Sequence, residues 1–175
     1  VIDNIDTALD TVNNTRAKDM TLVAKGHQRV LRARLSDAQF FYRADLEQKL
    51  EAWNERLKGV LFQAQLGSMH AKVQRVQRIA TQLAEVAAPE LKPLVDRAAQ
   101  LCKADLVSQV VYEFTNLQGI MGRHYATAAG EHPDVALAIE EHYRPTYSGG
   151  PLPQNRVGAL LAIADRFSAR HVFLL

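Results

Sequence analysis

Between Gly67 and Ala84 the apolar residues Met69, Val73, Val76, Ile79, Ala80 and Leu83 fall on one side of a helix turning about 100° per residue, while Arg75 and Arg78 turn away. A helix with so continuous a stripe must lay it against other elements, and the rest of the chain offers helices for it to meet. Ile2, Ile5, Leu9 and Val12 predict a short lead-in helix that ends in the turn cluster Asn13-Asn14-Thr15. Phe40, Phe41, Leu46, Leu50, Trp53, Leu57, Val60 and Leu61 keep helical spacing until Gly67. Pro89 and Pro93 place a loop before a second long helix over 94–114. Asp134 is the expected cap of a helix over Val135, Leu137, Ala138 and Ile139 that ends near Tyr143, and a last helix starts near Val157. Only 29–35 reads as extended or irregular, because Arg29, Arg32 and Arg34 alternate with Val30, Leu31 and Leu35; Ser36 is then the expected helix cap. No segment reads as a strong strand and no fixed-period repeat occurs, so the expected class is all-α.

Composition narrows the class further. With 175 residues, 47% of them apolar and 23% charged, the chain can bury one sizeable core. No apolar run approaches the roughly 20 residues needed to span a bilayer, and the first residues lack a signal-peptide pattern, so a cytoplasmic location without membrane contact is expected. The single cysteine, Cys102, reads as a small core residue and not as a nucleophile. A formal charge of +2 excludes a dedicated nucleic-acid arm and leaves any RNA contact to local clusters.

The run Tyr112-Glu113-Phe114-Thr115-Asn116-Leu117-Gln118-Gly119-Ile120-Met121-Gly122-Arg123-His124-Tyr125-Ala126 mixes aromatic, polar and glycine positions in an order that no helix or strand period produces. With Arg29-Val30-Leu31-Arg32-Ala33-Arg34-Leu35-Ser36-Asp37-Ala38-Gln39-Phe40-Phe41 before it and Ala138-Ile139-Glu140-Glu141-His142-Tyr143 after it, the chain resembles the beta subunit of the bacterial two-subunit glycyl-tRNA synthetase. The resemblance runs from about Gly26 to Asp165; residues 1–25 match loosely, and the tail from Arg166 to Leu175 departs from the family. It implies an interior or truncated piece of a longer subunit. The expected arrangement is a helical and irregular lead-in over 1–66, followed by a degenerate HD-like helical domain over 67–175 that is cut short at its C-terminus.

HD-superfamily phosphohydrolases hold a metal with a His on one helix, a His-Asp pair on the next and a final Asp. Carried over position by position, the resemblance implies Lys72 in place of the first His, Ala104 in place of the second, Asp105 retained beside it, and Asp165 as the final ligand. With both imidazoles missing and an ammonium at Lys72, neither a metal site nor a catalytic residue is expected in this chain. His124, His132 and His142 show no ligand spacing and read as structural or solvent-exposed. Gly119-Ile120-Met121-Gly122 lacks the flanks of a phosphate loop and reads as a bend that lets helices pack closely. Lys72 and Asp105 both fall on core-facing sides of their helices, which predicts an ion pair between them, with Asp165 as a third member.

The resemblance implies a part in glycine-tRNA ligase: tRNA binding and scaffolding for a reaction that uses ATP and Mg²⁺, carried out with the alpha subunit on tRNA(Gly). The piece alone is expected to be inactive. Arg29, Arg32, Arg34, Arg75 and Arg78 are the candidate tRNA contacts, since a planar guanidinium can donate bidentately to phosphate. They could equally be solvated charges paired with Asp37, Glu47 or Glu51. Two further readings stand beside this one: an active HD-type metal-dependent phosphohydrolase, and a helical protein-interaction module without RNA contact.

Overall fold

A computed structural model describes residues 18–170; the expected helix over Ile2–Val12 and the residues beyond 170 lie outside them. Among the described residues there are α-helices and one two-stranded hairpin, in agreement with the all-α class. The contacts group the chain into two units divided between Ala44 and Asp45.

The first unit is built on α1, Met20–Leu46. Its start is capped by Asp19, whose carboxylate accepts from the amides of Thr21 (2.8 Å) and Leu22 (3.1 Å). The segment expected to be irregular, 29–35, lies inside this helix, and Ser36 is an interior residue of it rather than a cap. Arg, Leu, Ala and Gln are strong helix formers, and an exposed helix needs no apolar stripe to satisfy its backbone. Indeed the only buried residue of α1 is Asp45, at its end, whereas Leu22, Val30 and Phe40 are exposed.

The second unit begins at Asp45, and Leu50, Trp53 and Leu57 are buried in it. α2 (Leu50–Arg56) and a 3₁₀ turn over Leu57–Gly59 lead into the hairpin of β1 (Leu61–Gln63) and β2 (Gly67–Ser68), in which Leu61 faces Ser68. α3 (Met69–Ala87) follows, capped by Ser68 Oγ, which accepts from the Ala71 amide at 3.2 Å. Its buried face carries Lys72, Val73, Val76, Ala80 and Ala84.

The long helix expected over 94–114 is broken. α4 stops at Leu101, a 3₁₀ turn covers Ala104–Val107, and the five-residue α5 spans Gln109–Glu113. Two caps explain the restart: Ser108 Oγ accepts from the Val111 amide at 3.2 Å, and the carboxylate of Asp45, 1% exposed, accepts from the amides of Gln109 (2.9 Å) and Val110 (3.1 Å) and from the Tyr125 hydroxyl (2.7 Å). Ser108 is a local signal for that start, whereas Asp45 lies far away in the chain. α4 itself starts at Lys92 with Pro93 in its first turn, where a missing N–H costs nothing.

α6 (Ile120–Ala128), α7 (Pro133–Glu141) and α8 (Arg156–Arg170) complete the unit. The cap of α7 is His132, which accepts from the Asp134 amide at 3.2 Å, and not Asp134 itself. α3, α4, α7 and α8 surround the core, where Ala80, Ala84, Ala98, Ala138 and Ala164 are buried to 0% exposure and let the helix axes come close.

Candidate functional site

Four elements send polar side chains into one buried cluster. Lys72 comes from the first turn of α3, Lys103 from the turn after α4, His142 from the residue after α7, and Asp165 with Ser168 from α8. The Lys72 ammonium lies 2.7 Å from Asp165 Oδ1 and 3.5 Å from Ser168 Oγ. The Lys103 ammonium lies 3.4 Å from Asp165 Oδ2 and donates to His142 Nε2 at 2.7 Å. His142 Nδ1 is 2.8 Å from the Ile139 carbonyl. A ring that accepts an ammonium proton at Nε2 must carry its own hydrogen on Nδ1, so His142 is neutral and donates that hydrogen to the carbonyl.

Aromatic faces complete the enclosure, with Tyr143 3.9 Å from the Lys103 ammonium and Phe62 4.9 Å from that of Lys72. Burial drives His142 down to about 3, and the Lys103 charge pushes the same way. Burial likewise lowers Lys103, against the opposing pull of Asp165. Burial raises Asp165, but Lys103 and the other neighbours outweigh it and hold the carboxyl at about 2. Cys102, packed beside them at 0% exposure, has its thiol pushed up to about 12 by burial, which leaves it protonated and inert.

The expected Lys72–Asp105 pair is not formed. Both groups are buried as their helix positions require, yet Lys72 pairs with Asp165. Asp105 turns instead to the start of α6, where Oδ2 accepts from the amides of Gly119 (2.6 Å) and Gly122 (3.0 Å). Those two N–H groups are the unpaired donors of a helix N-terminus, which a carboxylate satisfies better than a distant ammonium can be reached. Burial raises the Asp105 carboxyl against these two hydrogen bonds. Ala104, carried over to the second His position, is a buried methyl, and Lys103 one residue earlier is what reaches Asp165. Sequence reasoning missed Lys103, for which the one available signal was an ionisable residue within an otherwise apolar run, Leu101-Cys102-Lys103-Ala104; His142, read as structural or solvent-exposed, is structural and buried.

The same contacts explain the glycines of the Tyr112–Ala126 run. Gly119 has φ +80°, and a Cβ there would stand 2.7 Å from the Tyr143 ring. A Cβ on Gly122 would stand 2.6 Å from Ile139 and 3.1 Å from the Asp105 carboxylate. The expected bend for close helix packing is therefore seen, with α6 seated on α7 and on Asp105.

Chemically the cluster is an ionic core in which two ammonium groups share one carboxylate. Each oxygen of Asp165 faces an ammonium and the free nitrogen of His142 is occupied by Lys103, so this donor set does not fit a divalent cation. Among the described residues no group of three His, Cys, Asp or Glu side chains is placed to hold a metal. Of the arginine candidates, Arg29, Arg32 and Arg34 are exposed on α1. On a helix, Arg29 and Arg32 share a side while Arg34 points elsewhere. Arg78 is exposed on α3, but Arg75 is half-buried and donates to the Leu66 carbonyl at 3.0 Å, so it does not face away as its position suggested.

The sequence profile of the family described as "Glycyl-tRNA synthetase beta subunit" matches residues 5–170. The chain belongs to that family. Among its relatives, the glycine-tRNA ligase beta subunit of Desulforapulum autotrophicum is 60% identical over 157 residues, covering 89% of this chain and 23% of the relative. That of Desulfatibacillum aliphaticivorans is 55% identical over 161 residues, 90% of this chain and 23% of the relative. That of Geobacter sulfurreducens is 51% identical over 156 residues, 89% and 23% respectively. The chain thus spans about a quarter of the length of these glycyl-tRNA synthetase beta subunits. No helix among the described residues is long and apolar enough to cross a membrane.

Proposed function

We propose that this segment serves a cytoplasmic glycine-tRNA ligase as a helical scaffold and tRNA-binding surface, in a reaction that joins glycine to tRNA(Gly) with ATP and Mg²⁺ and with the alpha subunit. The family match over 5–170 carries the reading. The ammonium-filled cluster supports the scaffolding half, because Lys72 and Asp165, two of the positions that the resemblance equates with metal ligands of HD-type hydrolases, are joined in an ion pair; 67–175 is on this reading a degenerate HD-like domain. Of the candidate phosphate contacts, Arg29, Arg32 and Arg34 on α1 and Arg78 on α3 are exposed. Arg75 is the weaker candidate, since its guanidinium is drawn to the Leu66 carbonyl. Contacts of this kind to A-form RNA read the spacing of phosphates and 2′-hydroxyls more than base sequence.

A gel-shift titration with tRNA at several salt concentrations tests this. Replacing a contacting arginine by Gln should weaken binding to all tRNAs and lower the slope of log affinity against log salt by about one unit or less. Unchanged affinity and slope for Arg29, Arg32, Arg34, Arg75 and Arg78 would rule all five out as tRNA contacts. The chain alone should catalyse no ATP-pyrophosphate exchange, and exchange in the absence of the alpha subunit would overturn that part. A second reading has one observation in its favour: exposed Met20, Leu22, Val30 and Phe40 on α1 suit a protein partner, and in that case the chain shifts no tRNA at any salt concentration.

A further inference from the structure

Packing accounts for Gly119, Gly122, Tyr125 and Ala126 in the Tyr112–Ala126 run, but not for Asn116, Gln118 and Ile120, which are exposed. These three residues form one wall of a surface cavity of about 520 Å³, and Tyr143, Arg144 and Pro145 form the other. We propose that this cavity takes an unpaired nucleobase of RNA, an inference that rests on the tRNA-binding reading above and gives it a site.

The cavity has the chemistry of a base site and not of a phosphate site. Its two nearby cations are spent: Arg123 and Arg144 both meet Glu140, at 3.1 and 3.2 Å, and Arg144 also meets Glu141 at 2.7 Å. Two guanidinium groups against two carboxylates leave no charge to attract an anion. What remains are the apolar surfaces of Ile120, Pro145 and the Tyr143 ring, suited to the flat face of a base, the Thr146 side chain, and two carboxamides. Among the described residues the Asn116 and Gln118 side chains make no hydrogen bond to protein. A carboxamide offers a donor and an acceptor in one plane, the arrangement that matches a base edge bidentately. RNA bases are readable in this way where they are unpaired, since the A-form major groove hides their edges.

Both walls are held from beneath, so a ligand would not have to order them. On one side the amides of Gly119 and Gly122 are fixed on Asp105, and the Leu117 amide closes a turn on the Phe114 carbonyl at 2.9 Å. On the other, Arg166 donates to the carbonyls of Pro145 (3.0 Å) and Tyr143 (3.4 Å).

The test compares this chain with its Asn116→Ala/Gln118→Ala variant, binding a short unstructured RNA oligonucleotide of mixed sequence and a fully paired RNA duplex of the same length. Both replaced side chains are exposed, and an unchanged thermal midpoint verifies folding. The variant should lose about tenfold in affinity for the unpaired RNA, the order of one base contact, with no loss on the duplex. Its salt slope should stay that of the parent, because amide contacts release no counterions, whereas the arginine variants change the slope. Equal affinity of parent and variant for the unpaired RNA, or an equal loss on both RNAs, overturns the base site and leaves the arginine surface standing. Failure of the parent chain to bind either RNA overturns both.

Discussion

Asp165 stands between two ammonium groups, and neither interaction is easily replaced by water at this depth. Lys72 has 7% of its side chain exposed and Asp165 17%. Removing one member of a buried pair strands the other, at about 3–5 kcal/mol. Lys72→Ala is expected near the lower end, about 3 kcal/mol by urea denaturation, because Lys103 still stands 3.4 Å from the carboxylate. His142 gives the cluster a pH signature. Its folded value lies at about 3 whereas a free imidazole titrates near 6.5, so between these limits the unfolded chain binds the extra proton and stability falls as pH falls. The loss should be on the order of 1 kcal/mol per pH unit through that window, read from denaturation at pH 7, 6 and 5. His142→Gln should flatten the dependence over this range. Asp165 acts lower: with its folded value depressed to about 2, its contribution is complete above the normal carboxylate range and disappears only as pH falls toward 2.

At the scale of elements, α6 depends on one carboxylate. Asp105→Ala leaves the Gly119 and Gly122 amides without an acceptor, at about 2–4 kcal/mol for two buried hydrogen bonds. Asp105→Asn keeps an oxygen in place and removes a charge that burial already disfavours, so thermal unfolding should separate the two variants by several degrees. Gly122→Ala forces a methyl against Ile139 and should cost about 1–3 kcal/mol. Helices whose apolar stripe faces the core were legible: α3 lies where Met69 to Leu83 predicted it, and α8 starts within a residue of Val157. α1 was legible only from Asp37 onward; its first half was misread because Arg29, Arg32 and Arg34 alternate with Val30, Leu31 and Leu35 and mask a half-buried stripe of Val23, Leu31 and Leu35. The break after Leu101 went unread for a different reason. It contains no Gly or Pro, and the chain restarts on the Ser108 cap together with the distant Asp45 carboxylate on the α5 amides.

In the molecule as a whole, cohesion is uneven. α3, α4, α7 and α8 bury most of the fully enclosed side chains, while α1 buries only Asp45 along its 27 residues. Amide hydrogen exchange should therefore be fast along α1 before Asp45 and slow in α3 and α8; uniform protection along α1 would contradict this. The candidate site was legible to the same partial degree. Helical position placed Lys72 toward the core and family resemblance pointed to Asp165, but pairing is a property of the assembled core. Lys103 meets His142 across 39 positions of chain, a separation that carries no local pattern.

Cys102 turns this unevenness into something that can be timed. It is the chain's one cysteine, enclosed beside the ion network with its thiol held protonated. A colorimetric disulfide reagent can reach it only when the core parts, so the reaction in native buffer is a clock for that opening and needs no engineered label. The fraying of α1 should leave the clock unmoved, and Lys72→Ala should make it run faster by the factor that the lost stability dictates.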